Sequence, residues 1–113
     1  MIVPVSRKPA ATIDGTANAA GANIGAAIPN ESIFTVKKLK IQELGGVATR
    51  VIVSDVGVDT DGVAFARIIA EVYLAANGFH ESACPSDAQI FTQMFAQCTG
   101  ATTATVVAEG EME

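Results

Sequence analysis

Residues 63–76 read Val-Ala-Phe-Ala-Arg-Ile-Ile-Ala-Glu-Val-Tyr-Leu-Ala-Ala. Whether they coil or extend separates a mixed α+β chain from one built of strands alone. Phe65, Ile68, Ile69, Val72 and Ala76 recur at helical spacing, while Arg67 and Glu71 stand four apart on another side. Asp59, Thr60 or Asp61 suits an N-cap, and Asn77-Gly78 supplies the left-handed residue that commonly ends a helix. The rival is a strand, because Ala64, Ala66, Ile68, Ala70, Val72 and Leu74 also alternate against Arg67 and Glu71. Helix is the favoured reading.

Working outward, Cys84-Pro85-Ser86-Asp87 resets the chain, and Ser86 or Asp87 can cap a second helix over 88–97. Its stripe is Ile90, Phe91, Met94, Phe95 and Cys98. Gly100 follows, and Thr102 to Ala108 reads as a closing strand. Upstream, Ile33 to Ile41 and Val47 to Val56 are rich in β-branched residues, and Gly45-Gly46 between them suits a tight turn, so the two form a β-hairpin. Alternation in the first run is imperfect, since Lys37 falls on the apolar face. The expected fold is therefore α+β, with a β-hairpin, one or two helices and a C-terminal strand.

Residues 1–30 differ from the domain formed by 31–113. They hold no aromatic residue, three charges (Arg7, Lys8, Asp14) and a centre made almost wholly of Ala, Gly and Asn. Such a segment has too little apolar bulk for a core of its own, so it reads as an extended N-terminal arm. Ile2, Val3, Val5, Ile13, Ile24 and Ile28 are scattered along it as apolar anchors, the candidate partner-binding residues.

In a chain of 113 residues with 17% charged and 50% hydrophobic residues, there is room for one small domain, short of solubilising surface, and none for a multi-domain enzyme. A net charge of −5 lacks the basic excess that binds a phosphate backbone, so no nucleic acid is expected. No apolar run approaches the roughly 18 residues of a spanning helix, and Arg7, Lys8 and Pro9 interrupt the start before a signal peptide could form. No membrane association is expected. Charge is segregated: residues 1–40 hold five basic and two acidic residues (+3), and residues 41–113 hold two basic and ten acidic (−8). Opposite signs at opposite ends suit head-to-tail contacts, although a terminal acidic tail is the simpler account.

Chemistry is sparsely provided. Asp59, Asp61 and Gly62 match the middle of an EF-hand loop, but Gly57 and Ile68 stand where its first and last ligands belong, so a turn is the better account. His80, Cys84 and Cys98 lack the paired spacing of structural zinc. A Cys–His nucleophilic pair would need an orienting group such as Glu81 or Asp87. With 88–97 helical, Cys84 and Cys98 sit about 15 Å apart, too far for a disulfide, so both thiols are expected reduced. No enzyme activity, metal or cofactor is expected, and an enzyme with a pocket near His80, Cys84 and Asp87 is the third choice.

The Ala, Gly, Thr and Val-rich composition, the low-complexity arm, the DG turn at Asp59 to Gly62, the Phe79-His80-Glu81 connection, the 88–97 segment and the closing strand together resemble the lambda-type head decoration proteins of tailed phages. That resemblance implies a small mixed α and β module that caps capsids, commonly as a trimer, with an arm that adds β contacts to the shell. It also implies strands after the DG turn, where helical spacing is the better reading. The expected function is a structural virion protein that decorates a phage capsid through its arm and self-association. Its partners would be itself and the major capsid protein, and its place the capsid surface, after assembly in the host cytoplasm. The alternative is a small cytoplasmic oligomeric module whose arm exchanges between subunits.

Overall fold

In a computed structural model, which describes residues 4–15, 21–84 and 88–113, residues 64–74 are extended and the described residues contain no helix. Ten strands run in chain order: β1 Val5–Arg7, β2 Ala10–Asp14, β3 Ala22–Asn23, β4 Phe34–Glu43, β5 Thr49–Val58, β6 Ala64–Leu74, β7 Phe79–Ala83, β8 Gln89–Ile90, β9 Met94–Cys98 and β10 Thr103–Met112. The α+β expectation is overturned on both of its helices. β6 pairs antiparallel with β5 from Thr49 opposite Leu74 to Val58 opposite Ala64, which satisfies the backbone groups of its inner edge and leaves the outer edge without a strand partner among the described residues. In β9, Met94, Ala96 and Cys98 are buried while Phe95 and Gln97 face outward, so the apparent helical stripe is a period of two.

The expected hairpin is also corrected. Both of its strands exist, but β4 pairs with β10, β7 and β8, whereas β5 pairs with β6 and β9. Gly45-Gly46 therefore carries the chain from one sheet to the other. β1 and β2 lie end to end along one edge of β10, and β7 and β8 likewise along β4. Each sheet thus has four strand positions, in the orders β2-β10-β4-β7 and β3-β9-β5-β6. This double winding is a jelly-roll β-sandwich.

The two inner faces supply the core: Phe34, Val36, Leu39 and Ile41 from β4, Val51 and Val53 from β5, and Ala104, Val106 and Ala108 from β10 are all buried. Each large side chain contributes about 1.5–3 kcal/mol on burial, and the alanines of β9 and β10 let bulkier neighbours interdigitate. The broken alternation at Lys37 has a cause. Lys38 pairs with Glu109 and Val36 with Gly110, leaving Lys37 as an extra residue, so both lysines face out. Opposite it, any side chain at Gly110 would run into the Thr35 carbonyl oxygen and approach the Phe34 ring at 3.0 Å.

The described part of residues 1–30 does not stand apart as an arm. β1 and β2 hydrogen-bond to β10 of the same chain, and β3 to β9. Short apolar residues that cannot build a core alone here complete one at the sandwich's edge.

Candidate interaction surface

Two buried carboxylates organise the ends of the sandwich. Glu43 accepts N–H groups from Gly45 (2.7 Å), Gly46 (2.9 Å), Val47 (3.3 Å) and Asn77 (2.6 Å), together with the Thr102 hydroxyl. The Thr102 bond foremost, against the effect of burial, holds this carboxyl down at about 2. Asp55 accepts N–H groups from Phe91 (3.0 Å), Thr92 (3.1 Å) and Gln93 (3.0 Å), which ties β5 to the β8–β9 connection. Arg67 on β6 stands 3.7 Å from the same carboxylate, lies over the Phe91 ring at 5.5 Å and donates to the Gln89 carbonyl.

Beyond this clamp the β5–β6 ribbon continues past the core. Ala64, Phe65, Ala66, Arg67 and Ile68 in succession are exposed, so neither face of this part of β6 is covered. Val58, Val63 and Ile68 are 62%, 59% and 58% exposed. Asp59 closes the tip: one carboxylate oxygen accepts the N–H groups of Asp61 and Val63, each at 2.9 Å. The aspartates read as a possible helix cap or calcium loop thus cap a hairpin. The outer edge of β6 pairs with no strand of the described chain. A long, apolar, unpaired edge next to exposed valine and isoleucine is the kind of surface that proteins bury against a partner.

The segregated charges meet within the chain. Lys40 stands 3.3 Å and Lys8 3.6 Å from Glu109, and Lys38 pairs with Glu81, all on the outer face of the β4 sheet. The Glu81 hydrogen bond and charge raise Lys38, and the matching bonds from Lys38 and Lys40 lower Glu81 and Glu109. Pairing of β4 with β10 and β7 thus sets Lys38 and Lys40 against Glu81 and Glu109, so these charges offset one another within the β4 sheet.

Between β6 and β7 lies a groove of about 340 Å³ that brings His80, Ser82 and Cys84 together. His80 Nε2 lies 2.8 Å from Ser82 Oγ rather than bonding the thiol, and burial pushes the Cys84 thiol up, which keeps it protonated. Glu81 turns to the opposite face toward Lys38, and Asp87 lies outside the described residues. Cys84 and Cys98 are free, although the helical spacing used to separate them does not exist. Among the described residues, no three His, Cys, Asp or Glu side chains converge on a metal position, and no helix is long and apolar enough to cross a membrane.

Of the six expected partner-binding anchors, Ile2 and Val3 lie outside the described residues. Val5 is exposed on β1, Ile13 and Ile24 are buried in this chain's own core, and Ile28 packs half-buried against it. The exposed apolar residues outside those six include Val58, Val63, Phe65 and Ile68 around the β5–β6 tip, with Tyr73, Phe79 and Phe91 elsewhere. The signal at the tip was apolar residues flanking the Asp59-Thr60-Asp61-Gly62 turn on both phases of an alternation.

Fold and surface together define an all-β jelly-roll module with an apolar projection. No family model matches the chain, and no curated protein sequence does. Among solved structures it is similar to the C-terminal family 22 carbohydrate-binding module of Clostridium thermocellum Xyn10B. The TM-score is 0.54 at 15% identity, over 81% of this chain and 63% of that one. It is also similar to the CBM22-1 xylan-binding domain of Paenibacillus barcinonensis Xyn10C (TM-score 0.52, 11% identity, 76% of this chain and 57% of that one). This chain therefore spans less than two thirds of the length of either, 63% and 57%. Both support the sandwich fold. Weaker likenesses include the SPBc2 prophage-derived protein YomS, at TM-score 0.40 and 12% identity over 96% of this chain and 98% of that one. A decameric BFDV capsid protein is another. At that level they carry no argument about this chain, and no decoration-protein family is matched.

Proposed function

We propose that this chain is a structural building block of a protein shell that self-associates through the β5–β6 projection and acts by burying surface rather than by chemistry. In its specific form it is a virion protein that decorates a tailed-phage capsid, with the major capsid protein as its second partner. The observation that carries the reading is the projection: Val58, Val63 and Ile68 stand more than half exposed beside an unpaired strand edge, on a base that Asp55 and Arg67 tie to the β8–β9 connection. Ordinary surfaces scatter such residues singly, whereas contiguous ones mark contacts. The test is the solution mass of the chain by sedimentation equilibrium, beside a Val58→Asp/Val63→Asp variant. Self-association of the parent and a monomeric, folded variant are expected; a parent that stays monomeric at high micromolar concentration refutes the reading.

A second reading, binding of a xylan-type oligosaccharide, is favoured by Tyr73. Its ring is 74% exposed, its hydroxyl donates to Glu71 at 3.1 Å, and Arg50 lies 5.9 Å from its centroid. A hollow of about 550 Å³ adjoins them. An aromatic face beside fixed polar groups suits a sugar ring. Calorimetry with xylohexaose decides it: saturable heat that Tyr73→Ala abolishes supports the reading, and no heat sinks it.

A further inference from the structure

On the opposite side of the sandwich from β6, an apolar hollow of about 500 Å³ opens between the β1–β2 edge and the chain that joins β3 to β4. Buried Ile24, Phe34 and Met94 form its floor and half-buried Ile28 and Met112 its accessible apolar wall, with Arg7 and Lys8 beside them and no carboxylate among the lining residues. Lys8 is 71% exposed, and the Glu109 carboxylate near it is shared with Lys40. The projection offers the complement: exposed Val58 and Val63 flank a tip that carries Asp59 and Asp61 and no cation.

We propose that the β5–β6 tip of one copy docks in this hollow of a second copy, with Val58 and Val63 against the apolar lining and Asp61 facing Arg7 and Lys8. The proposal rests on the self-associating role above and names its contact surfaces. Within one chain the tip does not line the hollow: β3 and β6 are the opposite edge strands of the order β3-β9-β5-β6, three strand spacings or about 14 Å apart, and none of residues 58–63 is among the lining. Every copy carries one tip and one hollow, so the contact repeats from copy to copy and makes a reciprocal pair, a ring or, where the rotation does not close, an open filament. Apolar burial supplies affinity, and the opposed charges set orientation and exclude the reversed pairing.

Charge reversal with rescue tests this on the full chain. Asp61→Lys is used because Asp59 caps the turn and must stay. By sedimentation velocity, Asp61→Lys and Arg7→Glu/Lys8→Glu should each weaken self-association about tenfold, and the chain carrying all three substitutions should regain most of the loss. Circular dichroism and melting matching the parent's establish that the variants fold. If the parent associates but neither reversal weakens it, or the combined chain stays as weak as the single sets, the docking is overturned while the self-associating role stands. If only the tip reversal matters, the hollow is not the acceptor, and another occupant such as the chain's own first residues fills it. A parent that is monomeric throughout overturns the role itself.

Discussion

Replacing Asp55 by alanine removes the acceptor for three backbone N–H groups, at 3.0, 3.1 and 3.0 Å, and the carboxylate facing Arg67. Hydrogen bonds to a charged acceptor contribute about 1.5–3 kcal/mol each, so a simple sum would exceed about 4 kcal/mol. The sum overstates the loss. Phe91 is exposed and Thr92 and Gln93 are half-buried, so water can replace part of the acceptor, and Arg67 is free to turn outward. A loss of about 2–4 kcal/mol is expected, a large share of the 5–15 kcal/mol typical of a domain and worth about 10 °C in melting temperature. Urea and thermal unfolding measure it, and amide exchange at Phe91, Thr92 and Gln93 localises it. Asp55→Asn separates geometry from packing. One side-chain oxygen accepts two of the bonds and the other accepts one, so an amide nitrogen must oppose at least one N–H and lose most of the same stability. A cost below about 0.5 kcal/mol for Asp55→Ala, the range of unremarkable surface changes, would refute the clamp.

Two further predictions concern other groups. The Glu43 carboxyl is held at about 2, below its unfolded value, so its contribution to stability is present above pH 4.5 and disappears as pH falls toward 2. Urea unfolding at stepped pH should therefore show Glu43→Gln destabilised at neutral pH, with the gap to the parent closing through that window; a gap constant with pH would contradict it. Burial, aided by the nearby Glu43 charge, raises the Cys98 thiol, and Cys98 is buried in the core. It should resist alkylation at pH 8 in the folded chain and react at once in denaturant; equal rates would place it at the surface.

Much of the strand content was legible, and its pairing was not. β4, β5 and β10 announce themselves through β-branched runs, because their inner residues meet a core and their outer ones meet water. β6 did not, for a physical reason: from Ala64 to Ile68 it is exposed on both faces, so nothing imposes alternation there, and apolar residues in both phases imitate a helical stripe. The same exposure that blurred its secondary structure is what marks it as a contact surface. Gly45-Gly46 looked like a hairpin turn because local sequence reports that a chain bends, not which sheet it bends into. Ile13 and Ile24 stand among small residues, which in a local window suits an anchor for a partner; in the fold they fill this chain's own core, through pairings that no local window contains.

The interface is most directly located by hydrogen–deuterium exchange of the parent chain at low and at high micromolar concentration. If copies bury the projection, amides from Val56 to Ile68 slow at the higher concentration while those of Leu39 to Glu43 and Thr103 to Val107, away from both contact surfaces, stay unchanged. Exchange of that segment that is independent of concentration, in a sample whose mass shows association, would place the contact elsewhere and contradict the account.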